Sequence, residues 1–228
     1  MKYKWLLLDA DGTLFDYDKA EATALQKAFE QFGYEFQPEY AVAYRRIDRE
    51  MWLEFEQGKV SQERLRTRRF ELLFETMHIE SDPVKFSATY IQNLAEGAYL
   101  INGAEKVVKS LVGQVGLVLI TNGLEEVQRS RLAKSTIGDC FSDVVISEEV
   151  GAAKPDTRIF QAAFERMGHP KKEDVLIVGD SLTSDIKGGN EYGIDTCWFN
   201  PDQMVCDQDV EIQYEIRRLD ELRAIVGA

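Results

Sequence analysis

Three short runs of apolar residues punctuate the chain, and each ends in polar residues followed by a helix-like stretch. Trp5–Leu8 runs into Asp9-Ala10-Asp11-Gly12-Thr13, Val115–Ile120 into Thr121-Asn122-Gly123, and Val175–Val178 into Gly179-Asp180-Ser181. Runs of this kind mark strands covered on both faces, as in a parallel sheet. Two weaker segments, Asp143–Ser147 and Thr196–Phe199, extend the series. Between them, helical spacing of apolar positions appears near Ala104–Leu111, Glu125–Ser135, Thr157–Met167 and Ser184–Tyr192. This alternation predicts an α/β fold with a doubly wound parallel sheet.

From about Lys19 to Leu94 the alternation stops. This stretch offers no convincing strand, and its apolar residues, such as Leu65, Phe70, Leu73 and Phe74, follow the helical period. The economical expectation is an all-helical domain at 18–96 inserted into an α/β core made of 1–17 and 97–228. The insert also differs in charge. Ala41–Phe70 carries eight basic residues against five acidic ones, a local +3 in a chain of net charge −13.

Composition narrows the function classes. The 228 residues are 44% hydrophobic and 29% charged, enough to bury a substantial core. The acidic balance argues against a nucleic-acid polymer as partner, because such binding rests on Lys and Arg neutralising phosphates. It leaves room for a small phosphorylated metabolite, which needs only a local positive site. The three cysteines, Cys140, Cys197 and Cys206, are dispersed and suit a reducing compartment. With His78 and His169 as the only histidines, a zinc site or a serine–histidine triad is poorly supplied. No apolar run approaches bilayer length. The expectation is a soluble cytoplasmic chain, without membrane partners, acting as a monomer or small homo-oligomer.

Ligands of parallel α/β sheets bind at the carboxyl ends of the strands. There the expected strands deliver Asp9 and Asp11, Thr121 and Asn122, and Asp180 and Asp185. For any one of them alone a helix cap is the better explanation; their convergence on one edge favours a site. The set Asp9-x-Asp11-Gly12-Thr13-Leu14-Phe15-Asp16, Thr121-Asn122, Lys154-Pro155 and Gly179-Asp180-x-x-x-x-Asp185 resembles the four motifs of the haloacid dehalogenase (HAD) superfamily in order and spacing. The helical insert after the first motif looks like the helical cap of that superfamily.

The resemblance implies a chemistry. Phosphate monoesters hydrolyse so slowly that catalysis must supply a factor of up to about 10²¹. A carboxylate nucleophile splits the reaction through an aspartyl-phosphate, and by resemblance Asp9 is that nucleophile. The implied cofactor is Mg²⁺, held by the carboxylates of Asp9 and Asp180 and the backbone carbonyl of Asp11. Asp185 is expected to orient a metal-bound water or Lys154 rather than to bind the ion, with pairing to Lys154 the favoured role. If the strand continues through Asp11, its side chain shares a face with that of Asp9, which suits proton transfer to the leaving alcohol and from the attacking water. Lys154, Thr121, the backbone N–H of Asn122 and the turn at Gly12 are expected to hold phosphate oxygens. Segments near Tyr17–Lys19 and Glu96–Asn102 are expected to act as hinges for a closing cap.

Dehalogenation needs no proton donor, so Asp11 favours phosphoryl chemistry. Finer likeness at Trp5, Trp52, Gln57-Gly58, Arg69-Phe70-Glu71, Ile146–Pro155 and Thr196-Cys197-Trp198-x-Asn200 resembles the YjjG/YfnB-type pyrimidine 5'-nucleotidase branch. That implies nucleoside monophosphates as substrates, with Arg45, Arg46, Trp52 and Arg69 as residues that could read them. A sugar-phosphate phosphatase, a phosphosugar mutase and a non-catalytic phosphometabolite-binding module are the alternatives.

Overall fold

The computed structural model describes Lys2–Gly227. In chain order the strands are β1 (Trp5–Leu8), β2 (Gly116–Thr121), β3 (Asp143–Ile146), β4 (Val175–Gly179), β5 (Asp195–Phe199) and β6 (Tyr214–Ile216). The helices are α1 (Tyr17–Gln31), α2 (Pro38–Glu56), α3 (Gln62–Met77), α4 (Pro83–Ala95), α5 (Ala104–Leu111), α6 (Glu125–Lys134), α7 (Ser147–Val150), α8 (Thr157–Arg166), α9 (Lys187–Tyr192) and α10 (Leu222–Val226). The chain divides into two compact units. One runs up to Tyr17 and resumes at Ala98; the other is Asp18–Gly97.

In the first unit the strands form one parallel sheet in the order β3-β2-β1-β4-β5-β6. Alternate side chains enter opposite layers, as the two-residue period of a strand requires. Leu6, Leu8, Leu117, Leu119, Leu176 and Val178 pack with Val107, Val108 and Leu111 of α5 and Leu222 and Val226 of α10. Leu7, Val118, Ile120, Val175 and Ile177 pack on the other side with Ile159, Phe160, Ala163 and Phe164 of α8. Both faces are therefore covered, which is why these strands read as nearly unbroken apolar runs. The sheet is doubly wound, as expected. Close helix–sheet contact at α9 depends on Gly189: a Cβ there would sit 2.6 Å from Ile177 Cγ2 and 2.7 Å from Thr196 Cγ2.

Two details depart from the sequence expectation. Strand β6 is additional; its three residues pair with β5 at the sheet edge and are too short to show a period. The helix expected at Ser184–Tyr192 is instead a π-helical turn, Leu182–Ile186, followed by α9. Such turns often accompany functional side chains, and this one carries Asp185.

The second unit is all-helical, containing α2, α3, α4 and nearly all of α1. Its interior is aromatic: Phe70 lies 5.2 Å from Phe86 and 5.1 Å from Tyr90, ring centre to ring centre, and Phe29 lies 4.9 Å from Phe86. Offset and edge-on ring pairs of this kind add to the stabilisation from burial. Pro83 sits in the first turn of α4, and Asp82 caps that helix through the N–H groups of Val84 and Lys85.

Candidate active site

Register brings the first residues together. Leu8 of β1 pairs with Leu119 of β2 on one side and Val178 of β4 on the other, so these three strands end within two residues of one another. The order of connections reverses between β1 and β4, the switch point where open parallel sheets bind ligands. Asp9 leaves β1 there, its N–H bonded to the Val178 carbonyl at 2.9 Å, and Asp180 leaves β4 beside it. Asp185 arrives on the π-helical turn. Ligand oxygens of Asp9, Asp180 and Asp185 all lie within 4.8 Å of one another.

Lys154 reaches this cluster from the loop between α7 and α8. Its Nζ donates to Asp9 Oδ1 at 2.5 Å, Asp185 Oδ1 at 2.7 Å and the Ile120 carbonyl at 3.0 Å. The side chain is 1% exposed. Burial alone would lower the Lys154 pKa, but Asp185 and Asp9 outweigh it and raise the value above that of a free lysine. Burial drives Asp9 well above the usual carboxylate range; Lys154 opposes this, while Asp185 and Asp180 reinforce it. Asp180 is pushed up to about 7 by desolvation and by Asp185, against Lys154.

Around these four residues the protein supplies struts. Asn122 uses its side chain on the backbone of Lys154, accepting from its N–H at 2.7 Å and donating to its carbonyl at 2.8 Å. Thr121 is buried, and its Oγ1 accepts from the Gly123 N–H at 3.1 Å. Asp185 Oδ2 accepts from the Ser181 N–H at 3.1 Å. Thr13 donates to Asp180 Oδ1 at 3.2 Å, and Trp198 Nε1 donates to the Asp180 carbonyl at 2.9 Å. Gly12 has φ +85°, and a Cβ there would collide with the Asp180 carboxylate. Thr13 and Trp198 have no expected role from the sequence; a hydroxyl directly after Gly12 is the available signal for the first.

Three carboxylates face one ammonium, so the cluster with all groups ionised carries an excess of two negative charges. A small divalent cation with a preference for oxygen fits that donor set. Such an ion would be held by Asp9 and Asp180, with Asp185 already occupied by Lys154 and Ser181, and would draw Asp9 and Asp180 back to their ionised forms.

Asp11 is arranged differently from the strand-alternation expectation. Strand β1 ends at Leu8, and Asp11 lies in a turn that bridges back to Phe15. Its carboxylate is not one of the clustered three. Gln128 Nε2 donates to Asp11 Oδ2 at 2.5 Å, and Arg131 Nη1 donates to Asp11 Oδ1. Both partners come from α6, and neither was singled out from the sequence. The signal was present in the spacing: Val127, Gln128, Arg131 and Leu132 share one helix face, and all four are buried.

In the helical unit, Arg45 and Arg46 lie exposed on α2, paired with Glu21 at 3.3 Å and Glu50 at 3.6 Å. Trp52, on the same helix, is half-buried edge-on to Phe55. Arg69 corrects the expectation of a substrate-reading residue. It is 1% exposed, bonded to buried Asp48 at 2.7 Å, with its guanidinium 5.1 Å from the Tyr90 ring centre and 5.3 Å from that of Phe70. Position 69 falls on the Leu65–Leu73 face of α3, which turns it into the interior.

The parallel core, the inserted helices and the carboxylate–lysine cluster at the sheet switch point define a hydrolase of HAD type. The chain matches the haloacid dehalogenase-like hydrolase family over residues 3–193 and belongs to that family. It is 37% identical to a Bacillus subtilis protein named as the HAD-hydrolase YfnB, over 99% of this chain and 96% of that one. It is 34% identical to the pyrimidine 5'-nucleotidase YjjG of Escherichia coli, over 99% of each chain. Identity to the pyrimidine 5'-nucleotidase PynA of Streptococcus pneumoniae is also 34%, over 97% of this chain and 94% of that one. Among solved structures, YfnB bound to magnesium superposes with a TM-score of 0.95 over the whole of both chains. The L-2-haloacid dehalogenase of Xanthobacter autotrophicus, at 18% identity and a TM-score of 0.79, shares the fold. No helix among the described residues is long and apolar enough to cross a membrane.

Proposed function

We propose that this chain is a Mg²⁺-dependent phosphomonoester hydrolase that acts through a phosphorylated Asp9, with pyrimidine nucleoside 5'-monophosphates as its preferred substrates. The observation that carries the chemistry is the contact of buried Lys154 with both Asp9 and Asp185 beside Asp180. A bound Mg²⁺ would screen the repulsion between phosphate and carboxylate and stabilise charge on the transferring group.

The remaining work falls to the chain. Lys154 fixes Asp9 and presents positive charge toward the oxygens of the incoming phosphoryl group. The Asp9 carboxylate attacks phosphorus, and the bond to the leaving alkoxide breaks. Asp11 gives that oxygen a proton. Asp11 then takes a proton from water as the water attacks phosphorus, which releases phosphate and restores the Asp9 carboxylate. Thr121, the N–H of Asn122 and the Gly12 turn are the proposed oxygen-binding groups. Asp11 is also the feature that favours phosphoryl transfer over dehalogenation, since a halide departs without a proton.

The substrate class rests on the names of YjjG and PynA, at 34% identity over nearly full length. Arg45, Arg46 and Trp52 on α2 are the proposed nucleoside-reading side chains, by charge and by stacking. The test is phosphate release from pyrimidine and purine nucleoside monophosphates and sugar phosphates, with Mg²⁺ or EDTA, using Asp9→Asn as the blank. Metal-dependent release strongest on uridine or thymidine monophosphate is the expected result. Release spread over sugar phosphates would overturn the substrate class alone. Release that survives EDTA or Asp9→Asn would overturn the mechanism.

A further inference from the structure

Asp11 is held by two side chains that the reaction above does not use. Gln128 and Arg131 stand three residues apart on α6, on one face, and both are 0% exposed. Each takes a different oxygen of the Asp11 carboxylate: Gln128 Nε2 donates to Oδ2 and Arg131 Nη1 to Oδ1. The Asp11 side chain keeps 24% of its surface open. Arg131, although fully buried, turns one of its N–H donors to the part-open Asp11 carboxylate. Its guanidinium also lies 5.8 Å from the ring centre of Tyr17.

Gln128 has its place reserved by Gly123. A Cβ on Gly123 would collide with Gln128 Nε2 and stand 2.9 Å from Cδ and 3.0 Å from Cγ. Glycine directly after Thr121-Asn122 thus gives the amide the room it needs to reach Asp11.

We infer that Gln128 and Arg131 are positioning residues that hold the Asp11 carboxylate in a single orientation for the proton exchange proposed above. This rests on the reading of Asp11 as the proton-transfer group. A carboxylate on a turn, part-open to water, would otherwise sample several rotamers, whereas proton transfer needs hydrogen-bond reach and alignment. The two contacts do not block the chemistry. Each carboxylate oxygen has two lone pairs, so one remains to carry the proton given to the leaving oxygen and then regained from the attacking water.

The test compares an alkyl ester, uridine 5'-monophosphate, with p-nitrophenyl phosphate, whose leaving group departs without a proton. The measured quantity is kcat/KM with Mg²⁺, which reports the first phosphoryl transfer. The variants are Gln128→Leu, Arg131→Met, Arg131→Lys and Gly123→Ala, with Asp11→Asn as reference. General acid–base catalysis contributes about 10²–10⁴-fold. Gln128→Leu and Arg131→Met are therefore expected to lose about 10²-fold on the alkyl ester and less than about 5-fold on the aryl ester. Arg131→Lys should restore part of the loss, and Gly123→Ala should follow Gln128→Leu.

If Asp11→Asn separates the two esters but the α6 variants lose both equally or neither, the inference is overturned and the reading of Asp11 stands. If Asp11→Asn itself fails to separate them, both fall together. Gln128→Leu conserves volume and keeps the Arg131–Asp11 pair, so the comparison holds even if Arg131→Met folds poorly.

Discussion

Replacing Lys154 by methionine tests whether the candidate site is held together by charge. The ammonium is 1% exposed and makes three short contacts, to Asp9 at 2.5 Å, Asp185 at 2.7 Å and the Ile120 carbonyl at 3.0 Å. Methionine keeps most of the side-chain volume and removes the charge. Taking away one partner of a buried ion pair costs about 3–5 kcal/mol, because the other charge is left uncompensated. For a protein of this size class 1 kcal/mol moves Tm by about 2–4 °C, so the expected drop is roughly 6–20 °C.

The deficit has a definite pH dependence. The Asp9 pKa is already raised by burial even with Lys154 opposing it, and without the lysine it rises further. A carboxylate whose folded pKa exceeds its unfolded value stabilises the fold fully below the unfolded value, and that contribution is lost as pH rises through the folded one. The variant should therefore lie closest to wild type near pH 5 and furthest from it near pH 8. Millimolar Mg²⁺ should recover part of the loss, since a ligand that binds only the folded state stabilises it by mass action. Thermal melting followed by circular dichroism, in EDTA and in Mg²⁺ across that range, measures all three effects. A variant melting within about 2 °C of wild type at pH 7.5 in EDTA would refute the account.

Two further outcomes follow from the same charges. Asp180 has its pKa pushed up to about 7, so protons compete with a cation there below that pH. Mg²⁺ affinity should weaken by up to about tenfold per pH unit below 7, and binding should release protons, as calorimetry in two buffers of different ionisation enthalpy would show; affinity flat from pH 5.5 to 8 would count against it. In the helical unit, burial and then Asp48 push Glu21 up to about 7, with Arg45 opposing. Its stabilising contribution is full below about 4.5 and is lost by about 7. Glu21→Gln should therefore flatten this window and stabilise the protein at pH 8 by about 1–3 kcal/mol in urea titrations. A variant no more stable than wild type at pH 8 would contradict it.

The doubly wound sheet was legible because covering both faces leaves runs with nearly no polar residue, and Trp5–Leu8, Val115–Ile120 and Val175–Val178 are such runs. The helical insert was legible from periodicity alone. Asp9, Asp180 and Asp185 could be picked out at or just beyond expected strand ends, and Lys154 through the motif order of the HAD resemblance; register and the loop between α7 and α8 then bring them together. Strand β6 escaped because three edge residues carry no period. Arg69 was misassigned because it stands beside exposed-type arginines in a basic run, and only its place on the Leu65–Leu73 face separates it from Arg68. Gln128 and Arg131 were missed for a stronger reason. A polar residue on a helix reads as solvent-facing, and the partner that draws these two inward lies 117 and 120 residues away in the chain.

That long-range pairing explains how two aspartates two positions apart hold different environments. Asp9 belongs to a cluster with more negative than positive charge, which a cation can complete. Asp11 is held from α6 instead, one oxygen bonded to Arg131 and the other to Gln128. Coulomb attraction to a divalent ion near Asp9 would act on both carboxylates. Only Asp9 is free to turn toward the ion, because Asp11 would have to give up its bonds to Arg131 and Gln128. The separation does not come from the strand, which ends at Leu8. It comes from α6, whose inward face carries a cation where a helix of a doubly wound core would otherwise carry a leucine.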